Sequence, residues 1–307
     1  MLFKVAQKQN IPSTFLHEKY IVPPFSVINT HQTYWRERLS KWRDLGVYIA
    51  NGRASGKAYD NRRMDKNKLT EREHNGTSSF NPVLCEVIYK WFLPKDGYRI
   101  FDPFAGGIVR GATAAILGYE YIGFDISRKQ VESNIQEWDK LTDKYNIKGV
   151  ADWACVDSLT TNPPSIYDLI FTCPPYYNLE LYTDNPDDLS NCESYEDFIK
   201  KYTQVIKKCY NILKEDSFAV WVVSDVRSKD TTEYYGLVAD TIKIHQQCGY
   251  KFYNEIILYN DTGNLAITSG DYLNKARKVG RQHQNILVFY KGNTKHIKEK
   301  FGPVFEE

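Results

Sequence analysis

Residues 172–177 read TCPPYY and directly follow the apolar run YDLIF. Proline has no backbone N–H and restricts the residue before it to extended conformations, so a strand over 167–173 has to stop at this pair. The result is a stiff turn that holds a backbone carbonyl and an aromatic ring in fixed positions. In open α/β sheets, ligands bind at the carboxyl ends of the strands, where this turn falls. Cys173, Pro174, Pro175 and Tyr176 are therefore the first candidates for chemistry.

A second cluster lies in FDPFAGGIVRGATAAILG, where glycines follow a strand and open a helix. Glycine lets a ligand approach the backbone, and a helix amino end offers unpaired N–H groups. Gly106, Gly107 and Gly111 do not fit the dinucleotide spacing G-x-G-x-x-G, and no Gly-Lys-Ser/Thr follows for a Walker A loop. The next apolar run ends at Asp125 in YIGFDIS, where a carboxylate can accept from both ribose hydroxyls of a nucleoside. The third ends at Asp157 in ACVDS, which can take the exocyclic amino group of an adenine. Each acid alone is more often a surface cap, but three such features in register along one sheet edge point to a nucleoside site.

Seven short apolar runs must position these groups: 98–104, 119–126, 151–157, 167–173, 217–224, 251–260 and 284–292. Helical patterns over 108–117, 128–144, 195–213 and 235–248 separate them, the alternation of a parallel sheet with crossover helices. A further helix within 78–97 carries Val83, Val87, Ile88 and Trp91 on one face. The last two strands are joined by a long stretch without helical or strand period, containing Lys275, Arg277, Lys278, Arg281 and His283. Its length favours function over a solvated hairpin. The loop SDVRSKD after the fifth strand, with Asp225 and Arg227, is open between function and capping of the next helix.

Residues 1–77 have a different texture and read as an N-terminal extension to a domain over 78–307. A helix is expected at 34–46, and residues 31–75 hold eleven Lys/Arg against six Asp/Glu, Arg36 and Arg53 among them. That stretch reads either as a solvated surface or as an arm that orders on phosphates. The whole chain of 307 residues has net charge +2, so any nucleic-acid affinity must come from local patches. Its 42% hydrophobic and 25% charged residues suit a soluble globular protein, and 23 Tyr raise the aromatic fraction to 14%. The six cysteines show no metal-binding spacing and read as reduced cytosolic thiols, with no metal expected. Neither a signal peptide nor a membrane span is expected.

DPFAGG, GFDI, CVDS and TCPPYY, in that order, resemble the S-adenosylmethionine-dependent amino-methyltransferases of DNA, which modify N-6 of adenine or N-4 of cytosine. The similarity covers roughly residues 78–292, and PPFSVINTHQTYWRERLSKW also looks like the leading segment of phage-type DNA modification methylases. The resemblance implies a Rossmann-like α/β fold, a seven-stranded, mostly parallel sheet with a C-terminal antiparallel strand. It implies S-adenosyl-L-methionine as cofactor and double-stranded DNA as partner. Asn81 and Pro82 would flank the methionine end, Asp102, Phe104, Gly106 and Gly107 would form the floor, Asp125 with Ile126 would hold the ribose, and Asp157 the adenine. Cys173 and the Pro174 carbonyl would accept from the target amine while Tyr176 stacks on a flipped base. Lys275, Arg277, Lys278, Arg281, Arg36 and Arg53 would meet DNA. The family places Asp, Asn or Ser where this chain has Cys173, a poorer acceptor. Adenine and cytosine both remain open, with adenine slightly favoured. An RNA or protein-glutamine substrate, or a noncatalytic binding role, are the alternatives.

Overall fold

The computed structural model describes residues 13–47, 80–177, 183, 185, 187–260 and 265–304. In chain order the elements are α1 (Ser13–Tyr20), β1 (Val27–Asn29), α2 (Thr33–Asp44), α3 (Pro82–Phe92), β2 (Arg99–Asp102), α4 (Val109–Ile116), β3 (Glu120–Asp125), α5 (Arg128–Lys144), β4 (Val150–Cys155), β5 (Tyr167–Thr172), α6 (Tyr195–Ile212), β6 (Leu213–Val223), α7 (Leu237–Gln247), β7 (Lys251–Tyr259), α8 (Leu265–Ala276), β8 (His283–Lys291) and α9 (Ile297–Phe301).

Among the described residues the strands form one sheet in the order β1-β7-β8-β6-β5-β2-β3-β4. β8 runs antiparallel to β6 and β7, and the other pairs are parallel. This is the expected Rossmann-like α/β architecture, a mostly parallel sheet with a C-terminal antiparallel strand. The chain steps outward from β2 to β3 and β4, then returns to lay β5 on the other side of β2. The strand order therefore reverses between β2 and β5, which pair through Ile100↔Leu169 and Phe101↔Ile170. A crevice opens at the carboxyl ends of two parallel strands whose connections leave in opposite directions. β5 is buried along its whole length, as a central strand covered on both faces must be, whereas the outward-facing residues of edge strand β4 alternate with buried ones.

Two expectations change. The sheet has eight strands rather than seven, because Val27, Ile28 and Asn29 of the leading segment pair in parallel with Ile257, Leu258 and Tyr259. A three-residue strand carries too few positions to show a period of two. The segment is held further by α2, where Arg38 donates to both carboxylate oxygens of Glu86 on α3 and the Trp42 indole donates to Oε2 at 3.0 Å. The stretch between the last two strands, read as lacking a period, contains α8. Its apolar residues are largely exposed, Ile267 by 80%, so no buried stripe marks the helix in the sequence.

Side-chain caps start the helices that frame the crevice. Asn81 accepts from the Val83 N–H with Pro82 in the first turn, Ser127 accepts from Gln130 and Ser194 from Asp197. Gly111 lets α4 press onto the sheet: a Cβ there would lie 2.4 Å from Trp153 Cζ2 and 2.8 Å from the Tyr121 ring. Alanine would gain about 1 kcal/mol of helix propensity, but overpacking two buried rings costs about 1–3 kcal/mol or more. Gly111→Ala is accordingly expected to lower unfolding free energy by up to about 2 kcal/mol in urea titration, and a raised midpoint would contradict this packing.

Candidate active site

The crevice is organised by a carboxylate with no solvent exposure. Asp102, at the end of β2, accepts from the Phe104 N–H (3.0 Å) and the Thr172 hydroxyl (2.6 Å) on Oδ1, and from Arg110 Nε (2.5 Å) and the Tyr121 hydroxyl (2.9 Å) on Oδ2. Burial alone would push Arg110 down, but the adjoining Asp102 charge outweighs it and holds the guanidinium charged. The other end of that guanidinium donates to the Phe104 and Ala105 carbonyls, so one side chain clamps the glycine turn from inside. Thr172 precedes Cys173, and its bond joins the glycine turn to the Pro-Pro turn across the strand-order reversal. Asp102 is thus an internal anchor, with both oxygens engaged by protein, rather than a surface of the floor.

Above the anchor, Gly106 adopts φ 53°, and its N–H donates to Asp125 Oδ2 at 2.8 Å while its carbonyl accepts from Asn134 Nδ2 at 2.7 Å. Asp125 Oδ1 accepts from the Ser127 N–H at 2.8 Å, so each carboxylate oxygen carries one of these backbone bonds and keeps capacity for another. Burial pushes the carboxyl up to about 6 against the opposing pull of those two N–H groups. Phe104 lies half-buried with its ring 6.5 Å from Tyr202, and Gly107 is half-exposed beside Gly106. The Ile126 carbonyl faces the Cys155 thiol at 3.8 Å. Asp157 Oδ1 accepts from the Leu159 N–H, and the next residue's hydroxyl, Ser158, donates to the Pro103 carbonyl at 2.6 Å. The carboxyl ends of β2, β3 and β4 are therefore bonded to one another. Phe80, next to the Asn81 cap, packs under the Arg110 guanidinium at 4.6 Å and edge-on to Phe171 at 5.7 Å, which sets the start of α3 against the anchor.

Across the crevice, Pro174 is buried and Pro175 and Tyr176 are half-exposed. The Tyr176 hydroxyl accepts from Gln284 Nε2 at 2.8 Å and lies 3.4 Å from both the Val222 carbonyl and Cys173 Sγ. The cysteine thiol thus contacts the hydroxyl of its own turn. Tyr177 takes φ 52°, an uncommon conformation for a non-glycine residue, and is held by edge contacts with Tyr195 (5.6 Å) and Tyr235 (5.2 Å). Tyr195 and Tyr235 stack at 4.7 Å, giving the turn an aromatic wall from α6 and the β6–α7 loop.

The basic candidates are distributed over α2, α8 and the residues between α8 and β8. Lys275 is exposed and paired with Asp271 on α8, Arg277 is exposed, and Lys278 is half-exposed. Arg281 is half-buried and ion-paired with Asp225 at 3.7 Å, with its guanidinium 5.6 Å from the Tyr234 ring. Arg36 is exposed on α2, a separate element from these. Arg53 lies outside the described residues. No group of His, Cys, Asp or Glu suited to a metal ion occurs among the described residues, and no described helix is long and apolar enough to cross a membrane.

Sequence reasoning missed Arg110, Tyr121, Thr172 and Gln284. For Arg110 a signal existed: a lone charge within the small, apolar run IVRGATAAI must be paired when that helix is buried. Thr172 and Gln284 belong to strands far apart in sequence, and nothing local marks them.

Residues 167–303 match the family model described as DNA methylase. The tRNA (guanine(10)-N(2))-methyltransferase TRMT11 of Dictyostelium discoideum is 30% identical over 141 residues, covering 42% of this chain and 26% of that protein. The chain therefore spans about a quarter of the length of that curated relative. Among solved structures, TrmN from Thermus thermophilus is similar at 12% identity, covering 69% of this chain and 49% of its own, with a TM-score of 0.43. The magnesium protoporphyrin IX methyltransferase ChlM from Synechocystis PCC 6803, at 12% identity, covers 68% and 79%, with a TM-score of 0.40.

The link across the crevice can be cut with little change in shape. Thr172→Val removes a neutral hydroxyl from a buried carboxylate and is expected to lower unfolding free energy by about 1.5–3 kcal/mol. Urea denaturation followed by circular dichroism reads this, and an unaltered midpoint would show that the two turns are not joined through Asp102.

Proposed function

We propose that the chain, whose residues 167–303 match the family model described as DNA methylase, transfers a methyl group from S-adenosyl-L-methionine to the exocyclic amino group of a flipped-out DNA base, adenine before cytosine. One observation carries this reading: the glycine turn and the Cys-Pro-Pro-Tyr turn flank the same strand-order reversal and are bonded to a common carboxylate, Asp102.

The residues present fit the cofactor. Asp125 is a half-buried carboxylate bonded to a glycine with φ 53°, with acceptor capacity remaining on both oxygens, the requirement for a ribose diol. Gly106 and Gly107 leave the backbone approachable, Phe104 offers an apolar surface, and Asp157 retains an oxygen for an adenine amino group. When bound, S-adenosyl-L-methionine supplies an electrophilic methyl group on a sulfonium.

Everything else falls to the turn. An aromatic amine has its lone pair delocalised into the ring, so acceptors that draw its protons aside favour the pyramidal, nucleophilic geometry. The Pro174 carbonyl accepts from one amine proton. Cys173, engaged with the Tyr176 hydroxyl and weak as an acceptor, contributes chiefly shape and support for that ring. Tyr176 offers a face on which an extruded base stacks, because the target nitrogen cannot be reached inside a duplex. Lys275, Arg277, Lys278 and Arg281 on the β7–β8 connection contact phosphates beside it, and Arg36 does so from α2.

The TRMT11 similarity favours a second reading, transfer to a tRNA base by the same geometry. Incubating the protein with labelled methyl donor and duplex DNA, tRNA or peptides in parallel, then digesting the product to nucleosides, separates the two. Label in N-6-methyladenine from DNA is expected. Label confined to tRNA selects the second reading, and no transfer to any acceptor overturns both.

The cofactor site also has a pH signature. Asp125 is protonated below about 6 in the fold, whereas an unfolded chain keeps the carboxylate down to the usual range near 4. Between these values folding takes up a proton, so this group favours the native state as pH falls and that contribution is lost as pH rises through about 6. Diol binding has the opposite sign, since it needs the carboxylate. Affinity for S-adenosylhomocysteine measured by calorimetry is expected to be flat above pH 7 and to fall as pH drops through about 6. Asp125→Asn should bind more weakly and lose that dependence. A wild-type affinity constant from pH 7.5 to 5 would remove Asp125 from the site.

A further inference from the structure

The Tyr176 ring is fixed from a strand that belongs to neither turn. Gln284 lies at the start of β8 and donates through Nε2 to the Tyr176 hydroxyl at 2.8 Å, a good hydrogen-bond length, across 108 positions of sequence. The amide cannot rotate freely, because its Oε1 accepts from Asn260 Nδ2 at 3.3 Å. Asn260 is itself tied down: its N–H donates to the Gln282 carbonyl at 2.9 Å, and its carbonyl lies 3.2 Å from the His31 Nε2. The neighbouring Thr30 N–H and hydroxyl donate to the Tyr259 carbonyl, extending the support into the segment after β1. Since Gln284 fills an acceptor site on the phenol oxygen, the phenol proton is left for the Val222 carbonyl or Cys173 Sγ, each at 3.4 Å. The ring is thereby held at its far end by β6, β8 and its own turn. A phenylalanine at 176 would offer the same stacking face with no such tether.

We propose that Gln284 is a positioning residue for Tyr176: it sets the plane of the ring on which the target base stacks and makes the Tyr176 hydroxyl necessary for turnover. The inference rests on the methyl-transfer reading only for its kinetic arm. In geometry-limited catalysis, displacements on the order of 1 Å cost up to about a hundredfold in rate, so loosening the ring acts on kcat rather than on cofactor binding. Asn260 and the residues after β1 act behind Gln284, which gives the N-terminal strand a route to the substrate side of the crevice.

The test uses the full chain labelled with 3-fluorotyrosine, the Tyr176 resonance being the one missing from the Tyr176→Phe spectrum. Gln284→Ala and Gln284→Glu are expected to shift that fluorine signal. They should also lower kcat roughly tenfold or more on duplex DNA or tRNA, whichever the wild type methylates, with KM for S-adenosyl-L-methionine unchanged. In a Tyr176→Phe background the Gln284 substitutions should have no further effect on kcat, because both act through one bond. A purely structural role for Gln284 would instead lower thermal stability equally in both backgrounds and leave kcat per folded molecule unaltered, which overturns the proposal. An unmoved Tyr176 signal in both variants overturns it too, including where no nucleic acid is methylated and the functional reading itself has failed.

Discussion

Four hydrogen bonds converge on the buried carboxylate of Asp102, and the geometry of the crevice is set by the need to satisfy it. An ionised group without water must be paired and bonded on its remaining lone pairs, and removing one partner of such a pair typically costs about 3–5 kcal/mol. Arg110 provides the charge and Tyr121, Thr172 and the Phe104 N–H provide the bonds. These groups come from α4, β3, β5 and the turn after β2, so the condition is met only when those four elements take one mutual arrangement. The register of β2 against β5 thereby becomes an electrostatic matter as well as one of packing.

The same anchor explains why two turns remote in sequence share their stiffness. On the glycine side, Arg110 holds the Phe104 and Ala105 carbonyls from within, leaving the outer face of the turn to Asp125 and Asn134. On the proline side, the ring constraints of Pro174 and Pro175 continue the strand that Thr172 ties down, and the aromatic wall of Tyr177, Tyr195 and Tyr235 stabilises the unusual backbone at Tyr177. Carboxylate oxygens with acceptor capacity to spare lie on one side of the crevice, at Asp125 and Asp157, and aromatic rings line the other. A cofactor recognised by its ribose and a planar base recognised by stacking need that combination.

Much of this was readable from residues alone. Runs of buried β-branched and aromatic side chains located β2 to β8, since a central parallel strand has to be apolar on both faces, and helical patterns between and ahead of them located α3 to α7. The edge acids and the Pro-Pro turn were legible because they interrupt those runs at corresponding ends. What escaped was whatever depends on contact between distant segments. β1 is three residues long and gains its identity from β7. The exposed apolar residues of α8 draw no stripe. Asp102 was read as a surface because its partners, Tyr121 and Thr172, lie in other strands, and Gln284 is an ordinary strand residue until Tyr176 is placed beside it.

The central claim is that the glycine turn and the Cys-Pro-Pro-Tyr turn bound one hollow. Backbone amide NMR during titration with S-adenosylhomocysteine tests it most directly. The account predicts that Gly106, Gly107 and Asp125 shift along one binding curve together with Cys173, Tyr176 and Tyr177. Shifts at the glycine turn that leave the residues after β5 untouched, or saturation at neither, would contradict it.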